Sequence, residues 1–243
     1  NGLCMATGTS DEALPESHPK RLRHAGDGAK LISSNDASGY TFRGRFTDNT
    51  GTQACAIGYL ASQKAHLALR WLIARQAFRN GDQVIVAWAV AGQPIPDPLA
   101  DSFALFGLRE PAGGTAYRGD AGQLYSLALR SKVAGYRAAL PPSARVVIMG
   151  LDAATPGRMA ITFYREFGGA EFLDRLERWH TWFAWPQNFG KDRHFVGTPA
   201  PRDIAEAAYG VNLDERLRKS CVERLLPCIV DLQPLPREIF EST

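Results

Sequence analysis

ARVVIMGLDAATPGRMAITFY, residues 144–164, decides the fold class. Ala144–Gly150 (ARVVIMG) is, apart from Arg145, a continuous apolar run of strand length, and an apolar run without polar alternation reads as a strand buried on both faces. Ala154-Thr155-Pro156-Gly157 then turns the chain, and Met159–Tyr164 is a second strand by its β-branched and aromatic content. So short a link favours antiparallel pairing, because a parallel crossover needs about a dozen residues or more. Leu124–Leu140 on one side, stopped by Pro141-Pro142, and Ala170–Trp182 on the other read as helices. Helix, strand, turn, strand, helix predicts an α+β fold, with a small mixed or antiparallel sheet packed with several helices and rich in loops.

Working outward, Gln83–Val90 (QVIVAWAV) is a further strand, broken by Gly92, Pro94, Pro96 and Pro98. Residues 53–79 carry the strongest helical signal, with Ile57, Leu60, Leu67, Trp71 and Ala74 at helical spacing and Asn80-Gly81 as the stop. That helix is expected to be a core element. Asp97–Leu108 is a candidate short helix, and the Gly- and Pro-rich stretches 110–122 and 186–201 read as loops. Residues 202–209 and 212–229 form the last helices, with Asn212 and Glu215 as an N-cap arrangement and Leu213, Leu217, Cys221, Leu225 and Cys228 along one face. Residues 1–50 read as a strand-and-loop region containing the apolar runs Leu3–Ala6 and Lys30–Ser33, and residues 51–243 as an α+β domain.

With 243 residues, 45% hydrophobic and 22% charged, the chain suffices for one large domain or two small ones. It contains no apolar run near the roughly 20 residues that span a bilayer. Asn1-Gly2-Leu3-Cys4 lacks the basic and apolar regions of a signal peptide, so a cytoplasmic protein is expected. The start without Met and the end at Ile239–Thr243 suggest a piece of a longer polypeptide. Cys4, Cys55, Cys221 and Cys228 form no C-x-x-C pair and read as reduced core residues rather than zinc ligands. No metal and no cofactor is expected. A formal net charge of +3 does not announce a nucleic-acid partner, so the distribution of charge has to be considered.

Zinc-protease, P-loop, nucleophile-elbow and dinucleotide fingerprints are all absent, which points away from an enzyme. Lys64 and His66 are two apart in a helix and do not share a face, so they read as helix surface or as hydrogen-bonded caps. Trp179, Trp182, Phe183 and Trp185 read as helix-packing core before a base-stacking platform. The densest basic run is Lys20, Arg21, Arg23 and His24, and Arg43 and Arg45 follow among Tyr40, Phe42 and Phe46. Lys191, Arg193 and His194 sit between Phe189 and Phe195 on a loop, where Gly190 lets backbone approach a phosphate and Arg193 offers a planar fork to it. Arg130, Lys132 and Arg137 decorate the 124–140 helix, with Arg130 and Arg137 on one face. Loops of arginine interleaved with aromatics are a nucleic-acid signature; the same residues also make ordinary solvated faces.

Longer segments carry a resemblance. NGLCMATG at 1–8, His18-Pro19-Lys20 and Leu31–Asn35, then ASQKAHLALRWLI at 61–73, GDQVIVAWAV at 81–90, MGLDAATPGRMAITFYRE at 149–166 and WFAWPQNFGKDRHFVGTPAPRDIAEAAY at 182–209 resemble, in order and spacing, the Cas8c (Csd1) family. These are large subunits of type I-C CRISPR surveillance complexes (Cascade), and members have further N- and C-terminal regions that this sequence lacks. The resemblance implies a non-catalytic subunit working with Cas5 and Cas7 subunits, a small Cas11-type subunit, CRISPR RNA, target duplex DNA and the Cas3 helicase-nuclease. It implies help in recognising the protospacer-adjacent motif, R-loop formation and Cas3 recruitment in antiviral defence, with guide pairing reading sequence and protein holding strands through charge. Lys20, Arg21, Arg23, His24, Arg43, Arg45, Lys191, Arg193 and His194, with Arg158 on its turn, then become candidate nucleic-acid contacts. The alternatives are a docking subunit with no DNA contact in this segment, a metal nuclease around His180 and His194, and a target for phage anti-CRISPR proteins.

Overall fold

A computed structural model describes residues 1–33, 56–108, 121–141, 143–188 and 194–242. The chain divides into two compact units, Asn1–Val86 with Gly150–Thr162, and Ala87–Met149 with Phe163–Thr243. The expected boundary at residue 50 lies outside the described residues.

Helix α1 (Tyr59–Gln76) is followed by β1 (Phe78–Asn80) and β2 (Gln83–Ala89). The expected helix therefore ends three residues early, and Phe78-Arg79-Asn80 becomes a strand. Asn80-Gly81 is the reason: it is a hairpin turn rather than a helix stop, with Asn80 opposite Gln83 and Gly81 at φ +60°, a backbone that glycine adopts without penalty. The long hairpin follows as β3 (Arg145–Thr155) and β4 (Arg158–Gly168). The strands lie in the order β1-β2-β3-β4 and are antiparallel. Strand β3 is central, and Val146, Val147, Ile148 and Leu151 are all buried, which is what an apolar run without alternation requires.

In the first unit, residues 1–33 are mostly irregular backbone tied down by isolated bridges, Gly2 to Glu12, Ser17 to Ser33 and Lys30 to Arg158. Leu22, Ala29, Ile73, Ile85, Leu151 and Met159 are buried there. Gly58 precedes α1 because any Cβ would fall 2.3 Å from the Glu12 carboxylate and 3.3 Å from the Cys4 sulfur. The Cys4 sulfur in turn accepts the Gly58 N–H at 3.1 Å.

Helix α1 reverses the expected burial. Leu60, Leu67 and Trp71 are each more than half exposed, while Ser62, His66 and Ile73 face inward. Helical spacing of apolar residues identifies a common face but not the side on which the core lies. The inward polar groups are partnered on one side only: Ser62 Oγ lies 2.7 Å from His18 Nδ1, and His66 Nδ1 lies 2.8 Å from the Ser62 carbonyl, while Nε2 of both rings is buried without a partner. Two hydrogen-bonded imidazoles thus occupy core space that leucines were expected to fill.

In the second unit, α2 (Ser102–Leu105) is capped by the Asp101 side chain, and α3 (Ala121–Ala139) packs against α4 (Gly169–Trp182). Tyr125, Leu129 and Val133 are the buried side of α3, and Phe172, Leu173, Leu176 and Trp179 that of α4. The stretch 186–201, expected as loop, contains the antiparallel pair β5 (Trp185–Asn188) and β6 (His194–Gly197). Pro186 hid that pairing, since proline is excluded only from central strands. Helices α5 (Pro201–Tyr209), α6 (Glu215–Val230) and α7 (Arg237–Glu241) close the unit. Ala205, Leu213 and Cys221 form one cluster, and Ala208, Leu225 and Ile239 another. Leu217, expected on that inner face, is exposed. Cys4, Cys221 and Cys228 are free and buried; Cys55 lies outside the described residues.

Candidate nucleic-acid interface

The basic run at 20–24 is split by its own backbone. Residues 21–27 form a closed loop in which the Arg21 N–H donates to the Asp27 carbonyl at 3.1 Å. Arg21 adopts φ +63°, the left-handed conformation that reverses the chain there. This sends Leu22 and Arg23 inward and leaves Lys20, Arg21 and His24 outward.

Arg23 departs from the surface role expected of it, being only 4% exposed. Its Nε and Nη2 donate to the two Asp27 carboxylate oxygens, both at 2.9 Å, and its Nη1 donates to the Asp82 carbonyl at 2.7 Å, with Asp152 at 3.7 Å. Asp27 also accepts the Ala29 N–H at 3.0 Å. Burial pushes the Asp27 carboxyl up, but these hydrogen bonds outweigh it and hold the group below its usual range. The fork that suits a phosphate is occupied by a carboxylate of its own chain. Its position beside other cations concealed this; the carboxylate four residues later was the available signal.

The basic side chains that are exposed or half-buried gather around this loop. Arg79, which sequence reasoning passed over because it read as the end of a helix, is exposed on β1 and donates to the Arg23 carbonyl at 2.9 Å. His24 faces Asp82 at 3.8 Å. Lys30 and Arg158 are neighbours through their bridge, where the Lys30 N–H donates to the Gly157 carbonyl at 3.1 Å and Met159 N–H to the Lys30 carbonyl at 3.0 Å. One unit therefore brings Lys20, Arg21, His24 and Arg79 onto one loop system, and joins Arg158 to the end of the same segment.

The remaining candidates are elsewhere. Arg43, Arg45, Lys191 and Arg193 lie outside the described residues, and His194 begins β6. Lys64 is exposed on α1. On α3, Arg130 is exposed, the Lys132 ammonium lies 5.7 Å from the Tyr136 ring centre, and Arg137 reaches the Asp174 and Glu177 carboxylates of α4, the latter at 3.0 Å. Arg137 thus pins two helices together.

The aromatic group also divides. Trp179 is buried as expected, whereas Trp182 and Trp185 are largely exposed. His180 is wholly buried in a network on Ser102. Tyr125 O–H donates to the His180 carbonyl at 2.7 Å, so its single proton is used; Ser102 must then donate to Tyr125, at 2.8 Å, and receive Nδ1–H of His180 at 2.8 Å and the Thr198 N–H at 2.8 Å. Counting protons thus assigns the Nδ1–H tautomer. Nε2 is left buried without a partner, and burial pulls the His180 pKa down to about 4. This histidine joins α4 to the start of α2 and to Thr198, the residue after β6. Among the described residues, no three His, Cys, Asp or Glu side chains are placed to hold a metal ion. Nor is any described helix long and apolar enough to cross a membrane.

An α+β molecule with a divided surface of cations and buried, hydrogen-bonded histidines is the class of protein that emerges. The family model described as CRISPR-associated protein (Cas_Csd1) matches residues 1–243, and the chain belongs to that family. No curated protein matches it.

Proposed function

We propose that the chain is part of the non-catalytic large subunit of a type I-C CRISPR RNA-guided surveillance complex in the cytoplasm, and that its loop 20–24 with Arg79 contacts nucleic-acid phosphates. The observation that carries the contact is the convergence of Lys20, Arg21, His24 and Arg79 on one loop whose internal arginine, Arg23, is neutralised by Asp27. An internal ion pair stiffens the loop, so its outward basic side chains are presented without each having to be ordered on binding. In this reading the subunit works with Cas5, Cas7 and small Cas11-type subunits and CRISPR RNA. It holds target duplex DNA while the protospacer-adjacent motif is recognised, favours R-loop formation and recruits Cas3; phage anti-CRISPR proteins would compete for the same cations. It uses no cofactor and cleaves nothing itself.

The test is filter binding to duplex DNA across a salt series. Lys20→Ala with Arg21→Gly removes two cations, and glycine keeps the left-handed backbone free of strain. The expected result is weaker binding and a log–log salt slope shallower by about 1–2, since each phosphate contact contributes roughly 0.9. An unchanged slope rejects the loop as a phosphate contact.

A further inference from the structure

Helix α1 carries a surface that the nucleic-acid reading does not use. Leu60, Lys64, Leu67, Trp71 and Arg75 recur at four- and three-residue steps and so fall within an arc of about 100°. All five are exposed, and Leu60, Leu67 and Trp71 are 56%, 55% and 56% accessible. The opposite face holds Ser62, His66 and Ile73 in the interior, so α1 cannot roll to bury the leucines without exposing Ile73 and breaking the His18–Ser62 hydrogen bond.

Two further features define what fits this face. The spacing 60, 64, 67, 71 is the alternating seam of a two-helix coiled coil, in which Leu60, Leu67 and Trp71 supply apolar knobs for a partner helix and Lys64 a charged position between them. The charge is of one sign: α1 contains Lys64, Arg70 and Arg75 and no Asp or Glu anywhere in its eighteen residues. Among the described residues no carboxylate pairs with these three cations, and the Arg75 guanidinium instead lies 4.9 Å from the centre of the Trp71 ring. That stacking extends the apolar ridge and keeps a cation at its edge.

We propose that the outer face of α1 docks an amphipathic helix of a partner protein, with a leucine-type seam flanked by glutamate or aspartate. The seam spacing favours a helix over a nucleic-acid strand, because Leu60 and Leu67 offer a base neither a stacking face nor a hydrogen bond. The inference is independent of the phosphate contact, which rests on other residues.

The test uses the whole chain and a fluorescein-labelled helical peptide with leucine at seam positions and glutamate at flanking ones, read by fluorescence polarisation. A lysine-flanked version, a single-stranded oligothymidylate and sedimentation of the chain alone complete the set. The expected result is at least tenfold tighter binding of the glutamate-flanked peptide, lost tenfold or more in Leu67→Ser and in Trp71→Ser with unfolding midpoints unchanged. Lys64→Glu with Arg75→Glu should reverse the preference between the two peptides. Equal affinity for both, or indifference to Leu67 and Trp71, overturns the proposal. A Trp71-dependent oligothymidylate complex that excludes the peptide overturns it in favour of nucleic acid, and self-association abolished by Trp71→Ser overturns it in favour of a second copy.

Discussion

Arg23 and Asp27 form an almost fully buried, bidentate ion pair, and the two halves of such a pair are not worth equal amounts when removed singly or together. Arg23→Ala leaves a buried carboxylate without its cation, a loss expected to cost about 3–5 kcal/mol in urea denaturation. Arg23→Met with Asp27→Leu removes both charges and should recover much of that loss. A double variant as unstable as Arg23→Ala would contradict the pairing as the source of the effect. The run Lys20–His24 was legible as basic, but sequence alone does not say which of its members point inward, because that depends on the left-handed turn at Arg21 and on Asp82 and Asp152 far along the chain.

Among the elements, two glycines are expected to respond oppositely to one methyl group. A Cβ on Gly197, in β6, would stand 2.4 Å from the Phe195 ring and 2.8 Å from Ser102 Cβ, and the latter cannot swing away because Ser102 holds three hydrogen bonds. Gly197→Ala should cost about 1–3 kcal/mol by overpacking. Gly135 is exposed on the outer side of α3 with nothing near its Cβ position, so Gly135→Ala should stabilise by about 0.5–1 kcal/mol. Thermal melts of the two variants should therefore shift to opposite sides of the parent. The central hairpin was legible because β3 is buried on both faces and says so through unbroken hydrophobicity. The pair β5–β6 was not, since its strands are four residues each and punctuated by Pro186, and α1 was legible as a helix but not as to its buried side.

Across the whole molecule, two buried neutral histidines couple folding to pH. His18, beside His66 and Lys30, is held below its usual value, first by burial and then by those neighbouring charges; His180 is lowered from 6.5 to about 4 by burial. The unfolded chain then binds more protons than the folded one between these values, so stability is full above about pH 6.5 and is lost as pH falls toward 4. For His180 the loss is about 3 kcal/mol, and denaturation at pH 7.5 and 4.5 should differ by less in His180→Gln than in the parent. A pH dependence unaltered by that substitution would assign it to other groups. The α+β class and the family were accessible from sequence, since both rest on long ordered segments; these protonation states were not, because they arise from contacts between distant residues.

The first unit is assembled from Asn1–Val86 and Gly150–Thr162. As the chain leaves the ribosome, its opening third emerges well before Gly157 and Met159, which pair with Lys30, and before Asp152, which completes the charges around Arg23. At roughly 5–20 residues per second, residues 87–149 impose a wait of several seconds. Through that interval the first unit lacks Leu151 and Met159, which the finished fold buries in it. Nascent chains of this protein are therefore at their most vulnerable to chaperone capture and aggregation while the intervening segment is being made, and synonymous codons that slow translation between 87 and 149 would lengthen that exposure without altering a single residue.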